Sequence, residues 1–493
     1  ADIVDAGIWP VTVATTLLKP GGYQRLTQMA KLLDKENAPF EKVDAESAGK
    51  LAEEAVKDPH YVKAMKPLPS RKMKKEVPLM DCFVAPCKEG CPIHQDITTY
   101  LQLVGEEKYE EAMEVITEKN PLPFITGTIC AHNCMSKCTR NFYETPVHIR
   151  EMKLKAAENG YEALLEKLPV PAVTKAGKAA VIGGGPAGMA AAYFLRKGGM
   201  EVTLFEAKES LGGVVRHVIP PFRISEDAIE KDAEILRKMQ VDIRCNTKVE
   251  SLEELKKQGY TKIVLAVGAP VQGSLKLESG MPKNALEFLA EFKQTDGKVS
   301  LGKHVVVIGG GNTAMDTARA AKRNAGVEHV YLIYRRTRRY MPADEEELVM
   351  ALEDGVEFKE LLSPVKLENG QLFCKVMQLS DYDVSGRRGV TETGETVWVP
   401  ADTVIAAVGE KVPTDWYQAN GLAVSEKGRL YVDEKTLKTS DDNVYAAGDG
   451  LYGPATVVEA IRDGRKVAEA IAGEVLARDF DKLAEEEKVY AKR

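Results

Sequence analysis

Thiols and glycines carry the chemistry open to this sequence. Six of its eight cysteines fall between residues 82 and 138, as Cys82-x4-Cys87-x3-Cys91-Pro92 and Cys130-x3-Cys134-x3-Cys138. Short helical turns between thiolates aim them at a common point. A zinc site usually holds four ligands drawn from paired C-x2-4-C motifs. Six thiols, with a proline directly after Cys91, fit an iron–sulfur array better. A buried, inert thiol is an ordinary explanation for one cysteine but not for six in so short a segment. Cys245 and Cys374 stand alone in strand-like surroundings and are read as structural.

The glycines point to dinucleotides. Gly183, Gly185 and Gly188, with Pro186 and Ala187 between them, form G-x-G-x-x-G after an apolar strand and before a helix. The first glycine allows the tight turn, the second admits a pyrophosphate to the backbone, and the third lets helix and strand pack. The helix N-terminus offers N–H groups to the phosphates. Glu206 closes the next strand 18 residues beyond Gly188, where a carboxylate can accept ribose hydroxyls. Late in the chain, Gly448 and Asp449 of AAGDG form the Gly-Asp element that meets the ribityl chain or pyrophosphate in flavoproteins with two dinucleotides. FAD is therefore expected at the first loop. The second loop reads Gly309-Gly310-Gly311-Asn312-Thr313-Ala314. No acid ends its second strand. Arg335 and Arg336 stand there instead, followed by Arg338 and Arg339. Guanidinium groups pair with a 2′-phosphate that a carboxylate would repel, so NADPH is expected over NADH.

These residues need scaffolds. The strand–loop–helix–strand runs AAVIGG…EVTLFEA and HVVVIGG…VYLIYRR are two βαβ units, the only internal echo. Apolar pieces at 262–269, 402–410 and 443–450 supply further strands, and TVVEAIRDGRKVAEAIAGEVLA a closing helix. Residues 80–165 read as helical, with ITTYLQLVGEEKYEEAMEVITEKN periodic up to Asn120-Pro121. The fold class is α/β: a helical iron–sulfur domain followed by two Rossmann-like dinucleotide-binding domains, the NADPH domain inserted in the FAD domain. The expected layout is an N-terminal segment over 1–75, an iron–sulfur domain over 76–170, FAD binding over 171–300 and 401–475, NADPH binding over 301–400, and a charged tail over 476–493. The first residues have strand-like content without preceding partner strands, which reads like the end of a larger polypeptide.

Composition sets the outer bounds. A length of 493 residues suggests about three domains. Charged residues at 29% and hydrophobic ones at 44% suit a globular chain. A net charge of −7 argues against a nucleic-acid footprint, and no apolar run is long enough for a membrane span. A cytoplasmic setting is expected, where clustered cysteines favour metal over disulfides.

This order of motifs resembles the glutamate synthase small subunit and the N-terminal half of dihydropyrimidine dehydrogenase. The residues carrying the resemblance are CKEGCP at 87–92, VIGGGPAGMAAA at 181–192, LGGVVRHVIPPFRI at 211–224, VIGGGNTAMD at 307–316, YRRT…MPA at 334–343 and AAGDG at 446–450. ATTLLKPGGY and the CAHNCMSKC spacing are most similar to flavoprotein subunits named as selenate reductases in bacterial purine-degradation clusters. In that group a dihydroorotate-dehydrogenase-like barrel precedes the module, and residues 1–30 would be its end. The resemblance implies two [4Fe–4S] clusters with crossed ligands, Cys82, Cys87 and Cys130 on one and Cys91, Cys134 and Cys138 on the other. Leu79 and Lys153 stand at two further ligand positions, so each cluster has only three thiolates, with His132, Glu151 or another oxygen donor to fill the gap, or with one site a [3Fe–4S] centre or empty. The FAD role maps onto Gly183, Gly185, Gly188, Glu206, Gly213, Arg223 and Asp449, and the NADPH role onto Gly311, Asn312, Thr313, Arg335 and Arg336. The helix starting at Thr456-Val457 would turn its positive end to the flavin. The function implied is an oxidoreductase module for electron transfer, in which NADPH reduces FAD and electrons leave through the clusters to a fused or partner reductase. No catalytic acid or nucleophile is called for. A scaffold without its own turnover, or a thioredoxin-reductase-like disulfide reductase, are the alternatives. The second lacks the C-x-x-C it would need.

Overall fold

The computed structural model describes residues 2–8, 12, 22–33, 42–55, 57, 84–142, 144–174, 177–382 and 388–472. Cys82, Leu79 and the 476–493 tail lie outside them. Two compact units are present. One is drawn from residues up to 69 together with 136–147, the other from 70–135 and 148 onward. In the first, Asp44 caps the helix Ala45–Ala55 by accepting the N–H groups of Glu46 and Ser47 at 3.1 and 3.3 Å. Arg140 pairs with Glu144 there at 2.8 Å. Cys138 belongs to this unit.

The second unit contains both dinucleotide scaffolds. Its first sheet is all parallel, in the order 444–446, 260–265, 178–182, 201–205, 242–244. Four consecutive residues of Lys178–Ile182 and of Glu201–Phe205 are buried, as parallel strands covered by helices on both faces require. A second parallel sheet runs 283–284, 403–406, 304–308, 329–334, 357–360. Thus Lys283–Asn284 and Thr403–Ala406, far apart in sequence, flank the same core. The core includes Phe288, Val305, Val307, Met315 and Leu332. Between Glu357–Glu360 and Thr403–Ala406 in the chain, Leu362–Glu368, Gln371–Tyr382 and Arg388–Pro400 form an antiparallel meander that the sequence reading did not foresee. Its alternation is blurred by register shifts between Lys375 and Met377 and between Leu379 and Tyr382. Cys374 is fully buried in this sheet, in the structural role expected of it.

The helical segment packs around Tyr100, Met113, Ile116, Leu122 and Ile125. The periodic stretch after Ile97 is two helices, Ile97–Gly105 and Tyr109–Thr117. Glu107 turns the chain between them with φ +58°, and the Lys108 N–H closes on Leu103 O at 2.9 Å. This segment docks on the first sheet's helices. Asp232, on Glu226–Lys238, accepts the N–H groups of Phe124 (3.1 Å) and Ile125 (2.8 Å) at the start of the helix Pro123–Ile129. Tyr193 Oη donates to Thr117 O at 3.2 Å and Tyr161 Oη to Lys231 O at 3.2 Å. Among the described residues no helix is long and apolar enough to cross a membrane.

Candidate active site

The first nucleotide loop divides its glycines by task. Gly183, at φ +107°, closes the strand, and its N–H bonds Phe205 O at 2.8 Å. A Cβ on Gly188 would overlap Gly183 O, so that glycine is required by packing. Gly185 differs. The nearest atom to a Cβ there is Gly213 Cα at 3.8 Å, so the side-chain direction faces open space beside the helix start. Gly213 (φ +55°) backs onto it, with a Cβ only 2.8 Å from Gly185 Cα. Glu206 is buried and accepts the N–H groups of Gly184 at 2.7 Å and Lys208 at 2.8 Å. A carboxylate has roughly four acceptor directions, which leaves some for a ligand.

The late Gly-Asp element closes on the same loop. Gly448, at φ +70°, lies so near that a Cβ would come within 2.7 Å of Ala187 Cβ. Asp449 accepts the Ala455 N–H at 3.0 Å. Burial pushes its carboxyl up to about 7; the Ala455 N–H opposes this, and Glu459, Glu410 and Asp463 add to it. The helix Val457–Ala472 opens with a capping box. Thr456 Oγ1 accepts the Glu459 N–H at 3.4 Å, and Glu459 accepts the Thr456 N–H at 3.0 Å. The T-x-x-E signature was legible, but Glu459 and Asp463 were not singled out from the sequence. The structure thus gathers Gly183, Gly185, Pro186, Ala187, Gly188, Glu206, Gly213, Gly448 and Asp449 around one cradle, with Thr456 and Val457 opening the helix that follows the Asp449–Ala455 contact. The cradle's one open side-chain direction, at Gly185, fits a bound pyrophosphate.

Arg223 makes its contacts with the second scaffold. It is paired with Glu347 at 2.5 and 2.6 Å, and its Nε stands 3.2 Å from Asp316. Asp316 and Glu347 belong to the helices Asn312–Arg323 and Glu345–Glu353 of the second nucleotide scaffold. All three side chains are at least 85% buried. Arg223 therefore clasps the two scaffolds together, a role with no local sequence signal. Removing Glu347 leaves the buried guanidinium only Asp316, at a cost of up to about 3–5 kcal/mol, the range for breaking a buried pair. Glu347→Ala is expected to lose that much in denaturant unfolding while retaining FAD. Loss of FAD at unchanged stability would return Arg223 to the flavin.

The second loop repeats the division of labour. A Cβ on Gly310 would reach the Tyr334 ring at 2.5 Å, whereas Gly311 has only Pro342 Cγ at 3.9 Å. The loop is braced by Ala343 N–H to Gly310 O at 2.9 Å and Asp344 N–H to Asn312 Oδ1 at 3.1 Å. The Thr313 carbonyl accepts Thr317 Oγ1 at 2.6 Å. The arginines separate. Arg335 is exposed, and no carboxylate of the described residues is ion-paired with it. Arg336 is buried and donates from Nε to Arg388 O at 2.8 Å. Arg338 pairs with Glu345 at 2.9 Å.

Four of the six clustered thiols, Cys87, Cys91, Cys130 and Cys134, share the second unit and act on one another electrostatically. Burial pushes the Cys134 thiol up to about 12; Cys130 adds to this and Lys153 opposes it. Burial also raises the Cys91 thiol, while Lys153 and the N–H groups of Gln95 and Ile93 favour its thiolate. Such crowding is unfavourable for unliganded thiolates and is relieved by a metal centre, which deprotonates its ligands outright. No three His, Cys, Asp or Glu side chains among the described residues converge on a single ion. A cluster does not require that, because each thiolate binds a different iron. The all-sulfur donor set therefore fits iron–sulfur chemistry. Of the substitute ligands, His132 Nε2 lies 3.4 Å from Glu346, and Glu151 pairs with His148 at 2.5 Å.

Residues 177–464 match the family described as pyridine nucleotide-disulphide oxidoreductase, and residues 67–163 match dihydropyrimidine dehydrogenase domain II, 4Fe-4S cluster. Residues 1–63 match the N-terminal TIM-barrel domain of the oxidoreductase YgfK. YgfK of Escherichia coli is 41% identical over 95% of this chain, which spans only 46% of that relative. The chain thus covers about half the length of the first curated relatives it matches. The beta subunit of an NADPH-Fe(3+) oxidoreductase of Geobacter sulfurreducens is 34% identical, with 80% of this chain and 64% of that one covered. The small chain of the E. coli NADPH glutamate synthase is 33% identical, with 80% and 89% covered. Among solved structures, Mycobacterium tuberculosis FprA in complex with NADPH aligns at TM-score 0.50 and 20% identity, over 64% of this chain and 86% of that one, a likeness of fold alone.

Proposed function

The chain belongs to the pyridine nucleotide-disulphide oxidoreductase family, in the branch shared with the glutamate synthase small chain, and on that premise we propose that it is an electron-input module. It would accept electrons from NADPH at the second loop and release them through two [4Fe–4S] centres built on the clustered cysteines. A reductase domain or partner subunit, such as a dihydroorotate-dehydrogenase-like barrel, would consume them. FAD bound at the first loop supplies the step between two-electron hydride chemistry and single-electron transfer. The observation carrying this reading is that one unit holds two loops, each with the second glycine of its motif, Gly185 or Gly311, facing open space, and a crowded thiol set on a helical segment that Asp232 ties to the first scaffold. The chain's own residues bind and orient. Gly185 and Gly311 clear space for phosphates, Glu206 and Asp449 meet hydroxyls, and Arg335 meets the 2′-phosphate. Anaerobic NADPH should bleach the bound flavin of the purified chain and then reduce its iron centres. Flavin that stays oxidised in excess NADPH would refute the reading.

The separation of the arginines sharpens the cofactor preference. Arg335→Ala should weaken NADPH binding by about 1.5–3 kcal/mol, the range for a hydrogen bond to a charged group, and leave NADH binding unchanged. Arg336→Ala should instead loosen the contact with Arg388 and cost stability. Equal loss toward NADPH and NADH in Arg335→Ala would contradict the 2′-phosphate role.

A further inference from the structure

The helix Ile149–Lys167 buries one stripe: Ile149, Lys153, Ala156, Ala157, Gly160, Tyr161 and Leu164. Lys153, a residue only 7% exposed, is the one charged member of that stripe. Burying a charge without a partner is costly. The described residues offer Lys153 no carboxylate at ion-pairing distance. The buried acid on this side, Asp232, accepts one N–H group on each oxygen, from Phe124 and Ile125, and Lys153 acts on it electrostatically without an ion-pairing contact. Burial holds its carboxyl well above the usual range, opposed by those two N–H groups and by Lys153.

The first turn of this helix lies beside the thiol-bearing segment. Arg150, three residues before Lys153 on the same side of the helix, reaches Cys130 O at 3.5 Å. One turn before Lys153, Ile149 O accepts the Tyr100 hydroxyl at 3.2 Å. The adjoining helix Pro123–Ile129, which leads into Cys130, runs so close that a Cβ on Gly127 would come within 2.9 Å of Leu154 Cα. Lys153 acts electrostatically on both Cys91 and Cys134, favouring their thiolates. An unpaired buried ammonium and a crowd of buried thiols solve each other's problem once the thiols are anionic.

We propose that Lys153 sets the reduction potential of the iron–sulfur centre ligated by Cys91 and Cys134. This rests on the iron–sulfur reading above. One electron enters the centre on reduction, and no bond or proton need move. The centre becomes more anionic by one charge, so a fixed ammonium beside it stabilises the reduced form more than the oxidised form. Lys153 does not ligate iron or touch the nucleotides; it biases where the electron rests.

The test is a potentiometric titration of the full chain, prepared anaerobically and followed by EPR, for the unmodified protein, Lys153→Met, Lys153→Gln and Lys153→Arg. The neutral variants should shift the reduction equilibrium of one centre at least tenfold toward the oxidised form, which is 59 mV more negative for one electron. Lys153→Arg should stay near the unmodified value, and the flavin midpoint should not move. A neutral variant that keeps its centre at the unmodified potential overturns the proposal, even if the other loses iron. Loss of that centre from both neutral variants, with retention in Lys153→Arg, supports the need for charge. If the unmodified chain itself binds no iron after anaerobic reconstitution, the iron–sulfur reading fails and this inference with it. Intact centres with no shift sink this inference alone.

Discussion

Protein carrying Gly185→Val should fold, remain soluble and emerge without bound flavin. The expectation follows from where the missing side chain would go. At Gly188 a Cβ would overlap the Gly183 carbonyl, and at Gly184 it would come within 2.6 Å of Leu211 Cδ2. Those positions are required by the protein itself. At Gly185 nothing but Gly213 Cα, at 3.8 Å, approaches the Cβ direction, and the Gly185 φ of −77° is ordinary for any residue. Apart from its chain neighbours, the Cβ of a valine there meets no protein atom closer than 3.8 Å, so stability should change little, within roughly 1 kcal/mol. It does occupy the space a pyrophosphate needs beside the helix N-terminus. Gly188→Val is the contrasting variant and should cost several kcal/mol or fail to fold, about 3 or more. Flavin absorbance and thermal unfolding, measured on the same preparations, separate the two effects. Stoichiometric FAD in Gly185→Val would remove the first loop from the flavin site.

The same contrast explains what the sequence disclosed. A strand ending in a glycine loop and continuing as a helix is local information, and so are the acid or arginine at the end of the following strand. The two parallel scaffolds were therefore readable, as was the closing helix. Features built from distant residues were not. Arg223 and Glu347 are 124 residues apart and meet only because the two scaffolds pack together. Asp232 reaches the N-terminal turn of Pro123–Ile129 across 108 and 107 residues. The meander over 362–400 escaped because its strands carry charged and polar residues on exposed faces and its register shifts blur the period of two. The break at 105–108 escaped because a left-handed Glu107 leaves the apolar spacing of both flanking helices intact. Lys153 was visible as a departure at a ligand position. That it is buried without a carboxylate partner could be learned only from the packing.

Cys134→Ser should remove one iron–sulfur centre and leave FAD in place. Cys134 is 9% exposed, on a short helical turn (Asn133–Ser136) after Cys130, and burial holds its thiol high unless iron takes the proton's place. Serine is a hard oxygen donor in a pocket whose other donors are sulfur, so the centre it would complete should be lost or far more labile. The flavin cradle closes on itself through Gly185 to Gly213, Gly448 to Ala187, and Glu206 to Gly184, and none of these contacts passes through the thiols. The unmodified chain, prepared anaerobically, should contain iron and acid-labile sulfide. With Leu79 and Lys153 at two ligand positions, one centre should be the more oxygen-sensitive of the pair. Iron, sulfide and flavin analysis with low-temperature EPR of dithionite-reduced protein reads all three outcomes. Parallel loss of flavin and iron in Cys134→Ser would mean that the helical segment and the first sheet fold as one cooperative unit through Asp232. Zinc in place of iron, or no iron after reconstitution, would leave the thiols without a place in an electron path and favour a scaffold.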